Sequence, residues 1–443
     1  MVAGIKSNLI PKLNKKLFHP ASIKQGVGDF PKSLTYLSKR HNSQYVPKNV
    51  KDASKDDLTK EKYDAVIIGS GHNGLTCANF LGKSGKKTLV LEKRDIIGGA
   101  AVSEELVPGY KFSRFSYVLS LLRKTVIDGI FPSNWKDQVV LHKRNPSSFT
   151  PTKELEKYLL LGSDSDFNRE QISKFSVKDA ENFEPYEDKL SEIAQLMTPF
   201  LDDEPVLKFN SIRKAFMRNM KAKTSVSEMY QIMTAPASTI LDQYFESDIL
   251  KGTLSSDTVI GANQSPFSPN SSYLLIHLLM GEIFEKGVWA FVQGGMGTLS
   301  NYMAHLAEQR SSTIAVNAFA DEIVIDPITN KIAGVKLSNG QVINSSTVIT
   351  NCTNHVTYHS LLRNSNELFP EDFKRGIKNV NYQGVQVKFN LILNDMPRFK
   401  CLEHLWSDDD TFQEKIEKYK HYLQGTIHIN SESMEDIHNA YVD

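Results

Sequence analysis

The chain has 443 residues, of which 40% are hydrophobic and 23% charged, with a mean hydropathy of −0.33. That describes a globular chain of two or three domains and excludes a collagenous, disordered or multi-spanning membrane protein. The net charge of +1 hides a basic first sixty residues ahead of a mildly acidic body, which argues against a nucleic-acid binder.

Before Lys51 there are nine basic residues (Lys6, Lys12, Lys15, Lys16, Lys24, Lys32, Lys39, Arg40, Lys48) and one acid, Asp29. Ile5, Leu9, Ile10, Leu13 and Leu17 recur among them at helical spacing. An acid-poor, basic, amphipathic segment of this kind predicts a mitochondrial presequence and a location in the matrix. The alternative is a disordered basic tail. Asp52–Lys62 is charged and aperiodic, and reads as a linker. No run of 18 apolar residues predicts a transmembrane helix, which leaves room only for peripheral contact with the inner membrane. Ser272–Met280 is the longest apolar stretch and predicts a buried helix.

Residues 63–99 carry the main signal. Ala65–Ile68 is a short apolar run suited to a parallel strand covered on both faces. It leads into Gly69-Ser70-Gly71-His72-Asn73-Gly74. Gly69 permits the turn out of the strand, Gly71 lets a pyrophosphate reach backbone, and Gly74 lets helix and strand pack closely. A helix is predicted from about Leu75 to Lys83, its N-terminus offering free N–H groups and partial positive charge to phosphates. Thr88–Leu91 predicts a second strand that delivers Glu92, where the acid of such a unit accepts hydrogen bonds from ribose hydroxyls. A 2′-phosphate would meet this carboxylate, so NADP is not expected.

Glu92-Lys93-Arg94-Asp95-Ile96-Ile97-Gly98-Gly99 resembles the extended motif of the glutathione-reductase-like flavoproteins, in the branch of amine oxidases and phytoene desaturases. The resemblance implies FAD, with Gly98-Gly99 passing close to its ribityl and phosphate region. It implies an α/β fold: a Rossmann-type FAD-binding domain with an inserted, mostly helical plus sheet substrate domain.

Downstream, Gly294-Gly295-Met296-Gly297 opens a helix with Leu299, Tyr302, Met303 and Leu306 on one face. No strand–acid unit follows it, so a second phosphate cradle is not expected. An extended stretch Val316–Asp326, a return over Lys331–Leu337, a Ser338-Asn339-Gly340 turn and Gln341–Ile343 form a meander before Thr347–Thr350 and Asn351. This order resembles the phytoene-desaturase-like family too, and by that resemblance the backbone of Ala320 contacts adenine. Between about 146 and 285 the pattern is mostly helical. Gly384–Asn394 alternates like a sheet strand. Phe115, Tyr117, Trp289 and Phe291 have two readings, core or an apolar substrate channel. His72 and His277 read as structural histidines.

The expected organisation is presequence and linker (1–60), first FAD part (61–145), cap (146–285), second FAD part (286–360) and second substrate part (361–443). By the family resemblance a glycine-rich segment and helix should close the flavin site, and none precedes Asp443, so a fragment or short form is expected. The candidate cofactor residues are Gly69, Ser70, Gly71, Asn73, Gly74, Glu92, Lys93, Gly98, Gly99 and Ala320. No catalytic residue and no metal set is identified. Cys77, Cys352 and Cys401 are scattered, which argues against a disulfide-reductase dithiol. Two functions follow. One is an FAD-dependent mitochondrial oxidoreductase taking hydride from a small or apolar substrate. The other is a non-catalytic protein of this fold that acts on a mitochondrial protein partner.

Overall fold

Continuous apolar runs become the middle of a three-layer structure. The computed structural model describes residues 45–202, 225–284, 287–384 and 386–443; the basic leader, and with it the presequence expectation, lies outside the described residues. Five parallel strands form the central sheet in the order β1 (Lys51–Asp52), β10 (Ser312–Val316), β3 (Thr88–Leu91), β2 (Ala65–Ile68) and β14 (Val348–Thr350). Every residue of β2 and β3 is buried. Alternation sorts their side chains. Ile67, Val90 and Ile314 face the helices α1 (His72–Lys83) and α8 (Met296–Gln309), meeting Leu75, Ala78, Leu299 and Met303. Val66, Ile68, Leu89, Leu91 and Ala315 face the antiparallel meander β11 (Ala320–Ile325), β12 (Ile332–Leu337) and β13 (Val342–Asn344). Asn79 clips the two helices together, its Nδ2 donating to the Met303 carbonyl at 2.9 Å.

Four expectations need correction. The segment read as a linker is strapped to the domain: β1 pairs with β10, Leu58 is buried, and its N–H donates to Gln341 Oε1 at 2.8 Å. Its charges obscured these few buried apolar residues. The extended stretch starting at Val316 is two strands, because Asn317 (φ +52°) turns the chain between β10 and β11. At the meander turn only Gly340 has positive φ, so the Asn339-Gly340 pair is not a turn with both residues left-handed. Lastly, 384–394 joins no sheet among the described residues. Its polar side is pinned, with Gln386 Nε2 donating to the Val259 carbonyl at 2.7 Å and Lys388 to the Ser113 carbonyl, while Val387, Phe389 and Leu391 are exposed. Alternation alone makes a strand only where a neighbouring strand offers partners.

The hairpin β4 (Ser103–Val107) and β5 (Tyr110–Ser113) follows the Gly98-Gly99 loop, and β6 (Leu141–Lys143) pairs with β9 (Ala290–Val292). Beyond them lie β7 (Ser148–Pro151), β8 (Tyr158–Leu161) and β15 (Thr426–Ile427), backed by α9 (Phe412–Leu423) around Phe149, Cys401 and Tyr419. The helical layer contains α3 (Ser165–Ser173), α4 (Val177–Asp202), α5 (Val226–Thr234), α6 (Ala237–Tyr244) and α7 (Asp248–Ser256). Its core holds Phe183, Tyr186, Leu241 and Ile276, closed by Met434 of α10 (Met434–Val442). The stretch 273–280 is a short helix, Tyr273–His277, and a 3-10 turn, with Leu275 and Ile276 buried.

Candidate dinucleotide site

The site is built where β2 ends. Gly69 takes φ +102°, a conformation that costs a side-chain-bearing residue, and its N–H donates to the Leu91 carbonyl at 2.8 Å. Gly71 caps α1, and among the described residues no side chain hydrogen-bonds to that helix end. The first-turn amides are therefore left to a ligand, at the positive end of a 12-residue helix. Gly74 is sterically required, whereas a side chain at Gly71 would meet chiefly the movable amide of Asn351. A Cβ on Gly71 would stand 2.9 Å from Asn351 Nδ2, and one on Gly74 would collide with the Gly69 carbonyl oxygen. The cradle fits a pyrophosphate: a side chain at either position would fill it or push α1 away.

Glu92 follows β3 and is only 8% exposed. Its Oε2 accepts from Ser70 Oγ at 2.5 Å and from the Ser70 N–H at 3.1 Å, and its Oε1 accepts from the Arg94 N–H at 3.0 Å. Backbone bonds from the Glu92 N–H to the Ala315 carbonyl (2.7 Å) and from the Ala318 N–H to the Glu92 carbonyl (2.8 Å) fix where the carboxylate starts. Gly98 (φ +124°) bridges to Gly71, and Gly99 (φ +58°) lies so close that a Cβ would be 3.0 Å from the Gly71 Cα.

The structure thus brings Gly69, Ser70, Gly71, Gly74, Glu92, Gly98 and Gly99 together at one end of the sheet. Asn73 is exposed on the first turn of α1. Lys93 turns toward the meander, its Nζ 4.5 Å from the centre of the Phe319 ring, and Ala320 is buried in β11 opposite Leu337. Sequence reasoning missed Asn351, whose N–H donates to the Ile68 carbonyl at 2.8 Å and whose amide lies over the glycine turn. Its signal was available, since it ends the strand that pairs with β2.

The second glycine segment has another use. Gly294 and Gly295 have φ of +80° and +84°, and a Cβ on Gly297 would stand 2.6 Å from the Ser103 nitrogen. The Met296 N–H donates to Ser113 Oγ at 3.0 Å and the Gly297 N–H to Ser103 Oγ at 2.9 Å. The hairpin therefore caps α8 and occupies the amides a phosphate would need. A cavity of about 360 Å³ opens from His72 and Asn73 along Ala101, Leu119, Met296 and Met303.

The three cysteines lie in or against three different cores and form no disulfide. Burial raises the pKa of Cys77 and Cys401, and burial and then the Glu92 charge raise that of Cys352. Each is held as a thiol, without a partner thiol to resolve a mixed disulfide.

Residues 67–127 match the NAD(P)-binding Rossmann-like domain family. The mouse pyridine nucleotide-disulfide oxidoreductase domain-containing protein 2 is 36% identical over 405 residues, 87% of this chain and 67% of that protein. A phytoene desaturase (lycopene-forming) of Pseudescherichia vulneris is 29% identical over 301 residues, covering 67% of this chain and 57% of its own. Among solved structures, a putrescine oxidase triple mutant with redesigned cofactor binding aligns at a TM-score of 0.45 and 14% identity, over 67% of this chain and 59% of that chain. With that identity and coverage, the chain belongs to the family of pyridine nucleotide-disulfide oxidoreductase domain-containing protein 2.

Proposed function

We propose that this chain removes hydride from a small or apolar organic substrate in the mitochondrial matrix. The cofactor is FAD, and the coarse activity is that of a flavin-dependent oxidoreductase of the phytoene desaturase and amine oxidase type. When bound, FAD supplies a hydride acceptor at N5 of its ring. The protein's part is to hold it. The uncapped first turn of α1 receives the pyrophosphate, with Gly71 admitting it to the backbone. Glu92 accepts the ribose hydroxyls, and Ser70, now its partner, keeps the carboxylate oriented. Gly98 and Gly99 close over the Gly71 side of the cradle, and the Ala320 backbone lies on the adenine side. The observation that carries this reading is the uncapped helix end, together with the Glu92 carboxylate that Ser70, just before that end, already aligns.

The family's name mentions disulfides, but the scattered thiols do not support such chemistry here. The matrix location rests on the composition of the leader. Purified full-length protein should be yellow, and heat should release FAD identifiable by mass spectrometry. Colourless protein that takes up no added FAD would overturn the reading. A fusion of residues 1–45 to a passenger should enter mitochondria; a fusion that stays outside while an established presequence imports would remove the location.

A further inference from the structure

Away from the dinucleotide site, two adjoining cavities of about 560 and 110 Å³ share Arg144, Ser147, Gly162, Asn168 and Glu187. They have no lining residue in common with the cavity at the head of α1. Their charged lining consists of Lys143, Arg144, Glu187 and Asp257, two of each sign, with His428 beside them. Arg144 Cζ lies 4.1 Å from the centre of the Trp289 ring, so Trp289, read as core or apolar channel, is buried and also walls a polar chamber. Arg144 Nη1 donates to Thr426 Oγ1 at 2.7 Å, but its buried Nε finds no acceptor among the described residues. Asp257 is close enough to feel the Arg144 charge, yet makes no salt bridge with it, and its carboxylate accepts no hydrogen bond among the described residues. Glu187 likewise has no hydrogen-bond partner among them. Lys143 is engaged, its Nζ 5.0 Å from the centre of the Phe284 ring. His428 Nδ1 lies 2.8 Å from Ser256 Oγ.

A charge taken out of water needs a partner, and this chamber leaves the Arg144 guanidinium edge and the Asp257 carboxyl wanting, with Glu187 exposed at its rim. A simple anion would satisfy Arg144 and be repelled by Asp257 and Glu187. A simple amine would do the reverse. We propose that the chamber binds a small zwitterion, with its carboxylate on Arg144 and its ammonium group toward Glu187 and Asp257. The volume is in the range of small-ligand sites. Burial raises the pKa of Asp257 to about 6, although Arg144 opposes it. That shift marks a carboxyl that an incoming ammonium would relieve.

The test is calorimetry on the full chain with glycine, γ-aminobutyrate and ε-aminocaproate, using butyrate and butylamine as half-probes. At least one zwitterion should bind roughly tenfold or more tightly than either half-probe, a difference of about 1.4 kcal/mol. Arg144→Gln should abolish that binding, and Glu187→Gln should bring the zwitterion down to the level of butyrate. Flavin content should be unchanged in both, which separates this result from any failure of the cofactor reading. If Arg144→Gln does not fold, Glu187→Gln decides alone, since its carboxyl holds no other group in place. Butyrate binding as tightly as every zwitterion would reduce the chamber to an anion site, and no binding by any probe would leave it a water-filled void. Either result overturns the proposal.

Discussion

At the candidate dinucleotide site, Glu92 and Gly74 should matter for opposite physical reasons. Glu92 acts by charge. Glu92→Lys should cost about 1.5–3 kcal/mol of FAD binding for each charged hydrogen bond lost, roughly ten- to 150-fold in dissociation constant. Equilibrium dialysis with FAD measures this, and an unchanged constant would show that the ribose lies elsewhere. Gly74 acts by absence. Gly74→Ala puts a methyl group into the Gly69 carbonyl and should destabilise by about 1–3 kcal/mol, the range for overpacking, with flavin content falling as α1 backs away from β2. Gly376→Ala is the control. Gly376 sits in a helix and a Cβ there meets nothing within 4 Å, so the unfolding midpoint should hold or rise. The thiols belong to neither class. Replacing Cys77 by Ala and Cys352 and Cys401 by Ser should leave flavin content and flavin reduction unchanged in a titration followed by absorbance. A triple variant that binds FAD but resists reduction would bring disulfide chemistry back.

Elements are held by neighbours that need not be near in sequence, and α8 shows it. Two serines from the β4–β5 hairpin, 183 and 194 residues away, accept its first-turn amides. Ser103→Ala should cost about 0.5–2 kcal/mol, as loss of a helix cap does, and Ser113→Ala a similar amount. In urea unfolding each variant's midpoint should fall. Midpoints at the wild-type value would mean the serines contribute no net stability. The same separation explains what could be read in advance. The unit from Ala65 to Glu92 was legible because strand, glycines, helix and acid follow one another within thirty residues and each obeys a local rule. Asn351 and the α8 caps were not, because they meet the glycine turns only through tertiary contact. The Val316 boundary was misread because one left-handed asparagine ended a strand inside an apolar run. The 384–394 alternation failed for a related reason: periodicity reports which side chains share a face, and the neighbours decide whether that face pairs.

At the scale of the whole molecule, the charged chamber couples the β6–β9 and β7–β8 strands to α4 and the end of α7, so its protonation bears on global stability. Asp257 has a folded pKa raised to about 6 from 3.8, chiefly by burial, with Arg144 opposing. An acid raised in the folded state binds its proton more tightly there than in the unfolded chain. Its contribution is therefore fully present below about pH 4 and is lost as pH rises through about 6. His428 runs the other way. Burial, and then Arg144, depress its folded pKa to about 4 from 6.5, so its contribution is present above about pH 6.5 and lost as pH falls toward 4. Glu187, raised to about 7, sides with Asp257. In the wild type these slopes oppose one another and partly cancel. Substitution exposes them singly. Asp257→Asn puts a permanently neutral side chain of the same shape where the fold keeps a carboxyl protonated, so the variant should be about as stable as wild type near pH 4. It should become steadily more stable than wild type as pH rises to 7. Urea unfolding of both proteins at half-unit steps of pH measures the difference directly. A difference between the two proteins that stays flat with pH would mean that Asp257 is as ionised in the folded chamber as in water.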